Sequence, residues 1–223
     1  MLKIELWIMP IREHFILGGE PLPPFSEDLV FWTPLTNGDL TDHISRISPS
    51  TDSGCTVSFD TNKNMYLLTT TGTSRSYKAA LRYTSLNLGM SDGDGVTLVI
   101  DAAEKSYSGN HYSAMLSTPS VQVESQGKNP ARISIVYFHS SLDTQLHRYA
   151  LTCSPKIGTS NFTLKRYCDG VLKHTSQWSA IIPFTQNVVT MCQLNSSNTA
   201  YAIYVSNARI YNREMTPSEV AQL

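Results

Sequence analysis

Two carboxylates at the right separation can catalyse the hydrolysis of glycosides. That reaction needs two carboxyl groups about 5–9.5 Å apart, depending on the mechanism. Asp101 and Glu104 lie in a strand-like stretch but are three positions apart. Successive side chains of a strand point to opposite faces, so this spacing separates the two carboxylates. The sequence therefore predicts a protein that is not an enzyme of this kind.

Histidine and cysteine are the next candidates, because both ligate transition metals. The six histidines form no H-x-H or H-x-x-x-H pair, and the four cysteines form no C-x-x-C pair. Zinc ribbons and thioredoxin-like motifs need such pairs. We therefore interpret the histidines as surface or hydrogen-bonded residues. The cysteines are Cys55, Cys153, Cys168 and Cys192, and we expect them to be reduced.

Calcium is the one cofactor that the sequence offers, since Ca²⁺ takes six to eight oxygen ligands from clustered carboxylates and carbonyls. Asp92 and Asp94 alternate with glycines and form one candidate site. They lack the distal Glu of an EF-hand, and the alternative is a tight polar turn before the next strand. Asp39 and Asp42 form a second candidate site.

Aromatic side chains in polar stretches are the predicted ligand-binding residues. Rings can stack on the apolar faces of sugars while Asn and Asp bind their hydroxyl groups. These aromatics lie in or beside segments rich in Ser, Thr and Asn, where we expect loops at one edge of the domain. The alternative is that they pack at the edges of the core. The residues are Tyr77, Tyr107, Tyr112 and Trp178.

Composition excludes several classes of partner. The chain has 223 residues, of which 41% are hydrophobic and 16% charged, with a formal net charge of −1. Nucleic-acid binding needs a basic surface that this balance does not supply. A membrane-spanning helix needs about 20 consecutive apolar residues, and the sequence contains no such run. We predict neither nucleic acid nor membrane as a partner.

The elements that position these residues are predicted to be short β-strands. Apolar runs of strand length occur at 65–70 and 96–101, and alternation of side chains between two faces marks half-buried strands at 131–138, 162–168 and 200–206. Asp169-Gly170 follows one of them and favours a type I′ hairpin turn. Many short strands separated by turns indicate a sandwich or a barrel. One helix is predicted, because Thr216-Pro217-Ser218-Glu219 is a capping box with proline at the first helical position.

Three segments resemble the laminin-G-like, concanavalin A-like domain family of bacteria and their phages. LVFWTPLTNGDLTDHI at 29–44 resembles the first strand of that family, and FTLKRYCDGVLKHT at 162–175 resembles its Asp-Gly hairpin. ARIYNREMTPSEVAQL at 208–223 is similar to its last strand and closing helix. The segment VVTMCQLNSSN departs from the family, because it lacks a frequent Ile-Gly step. The resemblance implies an all-β, two-sheet antiparallel jelly roll with a short C-terminal helix. Its catalytic relatives carry an E-x-D-x-x-E motif that this chain lacks.

The resemblance covers nearly all of residues 26–223 and leaves residues 1–25 as an N-terminal arm with a Gly/Pro-rich linker. Leu2, Ile4, Leu6 and Ile8 alternate with other residues, so the arm can add to a sheet edge as a strand. We expect the arm to dock on another copy or on another protein of an assembly. The alternative is that it folds back onto its own sheet.

These observations lead to two hypotheses of function. The first is a non-catalytic structural protein of a tailed-phage virion, such as a capsid decoration, fibre or tail-associated protein, whose domain binds a glycan or host receptor. Its partners would be other virion proteins or copies of itself, and it would be made in the host cytoplasm without a signal peptide. The second is a carbohydrate-binding module of a bacterial cell surface. No signal peptide is recognised, since Glu5 and Pro10 interrupt the apolar N-terminus.

A final prediction concerns the thiols. If residues 149–153 and 162–168 pair around a turn near Ser160-Asn161, then Cys153 and Cys168 lie opposite each other. Cross-strand Cβ atoms are about 4.5–5.5 Å apart, which is wider than a disulfide prefers. The expectation is a pair of neighbouring, reduced cysteines.

Overall fold

The computed structural model describes residues 21–36, 38–72, 78–91, 93–108, 113–118, 121–126, 144–155, 161–178, 187–194 and 200–223. Strands dominate this part of the chain, and its one α-helix has four residues. No helix in these ranges is long and apolar enough to cross a membrane. The strands are β1 (Leu29–Thr33), β2 (Cys55–Asp60), β3 (Met65–Thr71), β4 (Ala79–Tyr83), β5 (Val96–Ser108), β6 (Ser113–Ser117), β7 (Gln122–Gln126), β8 (His147–Cys153), β9 (Phe162–Cys168), β10 (Val171–Trp178), β11 (Val189–Leu194) and β12 (Ala200–Tyr211), and the helix is α1 (Pro217–Val220).

Two antiparallel sheets face each other and confirm the predicted jelly-roll sandwich. The large sheet has eight strands in the order β10-β9-β8-β5-β12-β3-β2, with β1 also paired to β12. The small sheet has the order β4-β11-β6-β7. Because β1 pairs with β12, from Leu29 opposite Tyr211 to Thr33 opposite Ala208, the first and last strands are neighbours.

The main core lies between the sheets and follows from the alternation of apolar residues along the strands. In β12, Tyr201, Ile203 and Val205 belong to this core, as their spacing predicts. From the small sheet, Leu81 of β4 and Met191 of β11 meet them. A strand with one face in a core is fixed in register, because a slip of one residue would expose its apolar face.

A second apolar cluster covers part of the outer face of the large sheet. Trp32 of β1 and Tyr167 of β9 contribute to it, and Val220 and Leu223 of the C-terminal segment pack on top. The helix therefore lies on the outer face of the large sheet. Phe25, from the end of the predicted linker, also packs against this cluster, so packing begins before residue 26.

Predicted local motifs appear where the sequence indicates them. Asp169 and Gly170 have φ values of 52° and 74°, as a type I′ turn requires. Thr216 caps α1, accepting a hydrogen bond from the Glu219 N–H while the Glu219 side chain accepts one from the Thr216 N–H. The strand predicted at 131–138 lies outside the described residues.

The predicted pairing of two cysteines is wrong. Cys168 lies opposite Tyr149, and Cys153 lies opposite Leu164. The pairing is displaced by four residues along β9, so the two thiols lie on the same face but are not cross-strand partners. Two hydrogen bonds extend this register past the end of β8. The Ser154 N–H donates to the Thr163 carbonyl at 2.9 Å, and the Thr163 N–H donates to Oγ of Ser154 at 2.8 Å. All four cysteines are free thiols in the structure.

Candidate functional site

A groove on the outer face of the large sheet is formed by two cavities that share Leu146. Their volumes are about 390 Å³ and about 420 Å³. Both lie in the range of small-molecule sites, roughly 300–1,000 Å³. We call the two cavities together the outer-face groove. Its described walls include Asp101, His147, Arg148, Asp169, Val220 and Leu223 in the first cavity and Lys63, Met65, Ala103, Lys105 and Tyr204 in the second.

A bidentate ion pair lies in the first cavity. Arg148 of β8 donates from Nε to Oδ1 of Asp101 at 2.6 Å and from Nη2 to Oδ2 at 2.8 Å. The two residues face each other across the β5–β8 pair, where register places them directly opposite. These hydrogen bonds raise the pKa of Arg148 above its ordinary value. The pair fixes a planar cation at the groove wall, which suits recognition of oxygen-rich ligands.

Tyr204 supplies an aromatic surface in the second cavity. Its neighbours Ile203 and Val205 point into the core, so the alternation of β12 places Tyr204 on the outer face. The Nζ atoms of Lys63 and Lys105 lie 5.2 and 5.5 Å from the centre of its ring. An aromatic ring beside two cations is a binding surface for a ligand that has both an apolar face and oxygen acceptors.

The Asp169-Gly170 turn forms the rim of the first cavity. Oδ1 of Asp169 accepts from the Arg148 N–H at 2.9 Å, and Oδ2 lies 2.6 Å from Nδ1 of His147. Partial burial opposes ionisation of Asp169, but these hydrogen bonds outweigh it and hold its pKa below the ordinary value. The carboxylate is thus ionised at neutral pH and carries a negative charge at this end of the groove.

The predicted aromatic site is only partly described. Trp178 is the last residue of β10, at an edge of the large sheet, opposite Phe162. Tyr107 lies within β5, opposite Tyr201 of β12. The structure describes only the backbone of these two residues, and Tyr77 and Tyr112 lie outside the described residues. Their role in binding stays a prediction.

The predicted calcium residues take part in local hydrogen bonds where they are described. Asp94 accepts from the Ser91 N–H at 2.6 Å, which is the contact of a tight turn. Asp42 is fully buried and accepts from the backbone N–H groups of Trp32 and Ser45 at 2.9 and 2.8 Å. Asp39 contacts Nε2 of His43 at 2.7 Å. Asp92 lies outside the described residues, and calcium binding stays a prediction.

Residues 89–93 read G-x-S-x-G, the pattern of a serine-hydrolase elbow. That elbow needs a strand before the serine and a helix directly after it. Here Ser91 lies in the connection between β4 and β5, and the next described element is a strand. The pattern therefore lacks the context that exposes a nucleophile.

The groove was not predicted from the sequence, because its residues come from positions 63 to 223. Two signals were available, and the first is Tyr204, an aromatic residue on the face of β12 opposite to its core residues. The other signal was Asp169, whose turn position was recognised but whose contact with His147 was not. Arg148 and Leu146 carried no sequence signal.

Comparisons with known proteins show the fold. No protein-family model and no curated protein matches the chain. A structure of botulinum neurotoxin type C, whose cell entry depends on two ganglioside molecules, superposes with a TM-score of 0.62 at 12% identity, covering 87% of this chain and 50% of that one. The binding domain of Paraclostridial mosquitocidal protein 1 gives 0.55 at 10% identity, with 87% and 51% covered. The chain thus spans about half the length of these toxin structures.

A second kind of similar structure is matched over nearly its whole length. Domain 4 of AbnA, a GH43 extracellular arabinanase from Geobacillus stearothermophilus in complex with arabinotriose, gives a TM-score of 0.57 at 13% identity. The match covers 87% of this chain and 97% of that domain. At such identities the likeness shows a shared β-sandwich fold alone.

Proposed function

We propose that this protein is a non-catalytic glycan-binding protein whose ligand lies in the outer-face groove. The observation that carries the proposal is the groove itself, where the ring of Tyr204 and the Arg148–Asp101 pair flank Leu146. A sugar offers an apolar face to a ring and hydroxyl groups to charged side chains. Two adjoining cavities suit an oligosaccharide of more than one unit.

The similar structures support this proposal. The arabinanase domain was solved with arabinotriose, and entry of the type C neurotoxin depends on gangliosides. Both ligands carry sugars, and both proteins share the two-sheet architecture described above. The lysines beside Tyr204 favour a ligand that carries acidic groups, because they place two positive charges over one ring.

A non-catalytic role is supported by the state of two of the acidic residues in the groove, Asp101 and Asp169; a third, Glu104, lines the second cavity. Asp101 is bound by both arms of Arg148, and Asp169 is bound by His147 and the backbone of residue 148. A glycosidase needs one carboxyl group as acid and a second as base or nucleophile. Carboxylates held in ion pairs serve to position neighbouring groups.

Two biological settings remain proposals. The first is a tailed-phage virion, in which residues 1–25 would bind other virion proteins or copies of this chain. The second is a bacterial cell surface, in which the domain would be a carbohydrate-binding module; the resemblance to the laminin-G-like family fits either. Mass spectrometry of purified particles tests the first setting, and its result is independent of the glycan assay.

A glycan array followed by affinity measurement tests the groove. Arabinotriose and ganglioside oligosaccharides are the first probes. We expect Tyr204→Ala to weaken binding at least about tenfold, since aromatic anchors dominate binding energies. Leu146→Ala should also weaken it, because Leu146 joins the two cavities.

The matched control is Leu172→Ala. Leu172 is 47% exposed and Leu146 is 51% exposed, but Leu172 lies outside the described walls of the groove. A ligand whose affinity depends on Trp178 and is indifferent to Tyr204 would place the site at the sheet edge instead. Absence of binding at millimolar glycan would contradict a glycan ligand.

A further inference from the structure

Three side chains with metal-binding atoms converge at the base of the β9–β10 hairpin. His147 is the first residue of β8, Cys168 is the last residue of β9, and Asp169 begins the turn. One nitrogen, one sulfur and one oxygen of these residues lie within 4.8 Å of one another. His147 lies 22 positions before Asp169 in the sequence. A short motif such as H-x-x-x-H or C-x-x-C therefore could not reveal the cluster.

The backbone holds the three groups in place. Register sets Cys168 opposite Tyr149, so the turn that follows Cys168 falls beside His147. The N–H of Asp169 donates to the Arg148 carbonyl at 2.8 Å, and Oδ1 of Asp169 accepts from the Arg148 N–H at 2.9 Å. Oδ2 is left directed at Nδ1 of His147, 2.6 Å away, and at Sγ of Cys168, 3.7 Å away.

We propose that His147, Cys168 and Asp169 form a binding site for a divalent transition-metal ion of the zinc class. Thiolate, imidazole and carboxylate together are the ligands of Zn²⁺ and Co²⁺, whereas Ca²⁺ and Mg²⁺ prefer oxygen alone. The inference is independent of the proposed function, because it requires only this chain and the metal.

The Sγ–Oδ2 distance fits a tetrahedral ion directly, and the Nδ1–Oδ2 distance fits after a small movement of Asp169. Metal bonds of about 2.0 Å to oxygen and 2.3 Å to sulfur at tetrahedral angles put these atoms roughly 3.5 Å apart. The Sγ–Oδ2 distance of 3.7 Å already matches this value. The Nδ1–Oδ2 distance of 2.6 Å is that of a shared proton and must widen to roughly 3.3 Å when a metal replaces the proton. Asp169 can make this movement, because its side chain is 54% exposed.

A fourth coordination position is open to solvent through the exposed members of the cluster. The side chains of His147 and Asp169 are 20% and 54% exposed, so a water molecule can reach an ion bound between them. Three protein ligands plus an open position is the pattern of zinc sites that bind exchangeable ligands. Cys168 is buried and closes the opposite side of the site.

The test is titration of the chelator-treated protein with Co²⁺. We expect a near-ultraviolet thiolate-to-cobalt absorption band, which Zn²⁺ should remove by competition. Cys168→Ser should abolish the band, and Asp169→Asn and His147→Gln should each lower Co²⁺ affinity at least about tenfold, the loss seen when even outer-shell partners are removed. Asn tolerates the positive φ of position 169, so that variant should keep the fold.

Two variants serve as matched controls. His43→Gln removes the histidine of another His–Asp pair with a 2.7 Å contact, and Cys153→Ser removes another buried thiol of the large sheet. Neither should change the band or the affinity. Absence of the band in the wild-type protein, persistence of the band in Cys168→Ser, or an equal loss of affinity in His43→Gln would overturn the proposal. If Cys168→Ser fails to fold, His147→Gln decides through the affinity.

Discussion

Nε of Arg213 lies 2.6 Å from Oδ2 of Asp28, an ion pair that links the segment after the last strand to the residue before the first. The same guanidinium donates to both carboxylate oxygens of Glu219, at 2.9 and 3.0 Å. Arg213 therefore connects β1, the end of β12 and the capping box of α1. The C-terminal segment is held by this network and by the packing of Val220 and Leu223.

The first prediction concerns the pH dependence of this network. The hydrogen bonds of Arg213 lower the pKa of Glu219 to about 2, from an ordinary value near 4.5. Because the folded-state pKa is lowered, the stabilisation is present above about pH 4.5 and is lost as pH falls toward 2. Arg213→Gln should raise the pKa of Glu219 toward 4.5, measured by NMR titration of its side-chain carboxyl. Arg82→Gln breaks a comparable pair with Asp52 and should leave the pKa of Glu219 unchanged.

The second prediction concerns Gly170 in the hairpin turn. Its φ is 74°, and an added Cβ would lie 3.1 Å from Cα of Ala221. Gly89 has a φ of 59° with nothing within 4 Å of an added Cβ. Each Gly→Ala change should cost about 1–2 kcal/mol for positive φ, and Gly170→Ala should cost more, since it also presses on the C-terminal segment. Urea unfolding measures the difference, and equal costs would show that the turn and this segment are not in tight contact.

The third prediction concerns thiol reactivity. Burial raises the pKa of Cys153 and of Cys192 to about 12, so both are protonated at neutral pH. We expect a thiol reagent at pH 8 to modify them only as fast as the protein unfolds. Cys55 is half-buried and should react first, although burial raises its pKa as well. Denatured protein should give four thiols, and rapid native modification of Cys192 would contradict the core described here.

The fourth prediction separates the N-terminal arm from the domain. Leu22 and Phe25 pack against the outer cluster, and the Tyr211 hydroxyl donates to the Pro24 carbonyl at 3.2 Å. Deleting residues 1–25 should therefore lower the free energy of unfolding by about 2–3 kcal/mol, since two apolar side chains lose their contacts.

Deleting residues 1–20 is the matched comparison, because it keeps these contacts. It should leave the free energy of unfolding unchanged. If the arm binds an assembly, the shorter deletion should still abolish incorporation into the particle. A shorter deletion that destabilises the domain as much as the longer one would mean that the arm packs on its own sandwich.

The sequence alone determined the features that depend on neighbouring residues. Alternation in FTLKRYC predicted β9 with its bounds, because burial of one face imposes a period of two. Asp169-Gly170 predicted its turn, because few residues accept positive φ twice in succession. Thr216 and Glu219 predicted α1, because a capping box satisfies backbone N–H groups within four residues. The resemblance of three such segments then indicated the sandwich.

Only the tertiary structure decided which distant residues meet. The register of β8 on β9 placed Cys168 opposite Tyr149 and brought His147 to Asp169, while the sequence prediction had paired Cys168 with Cys153. Turn length and core packing fix such a register, and neither can be read from one strand. The outer-face groove has the same origin. Tyr204 and Arg148 line the same groove only because β12, β5 and β8 are adjacent in the sheet. Burial of the whole core sets this strand order.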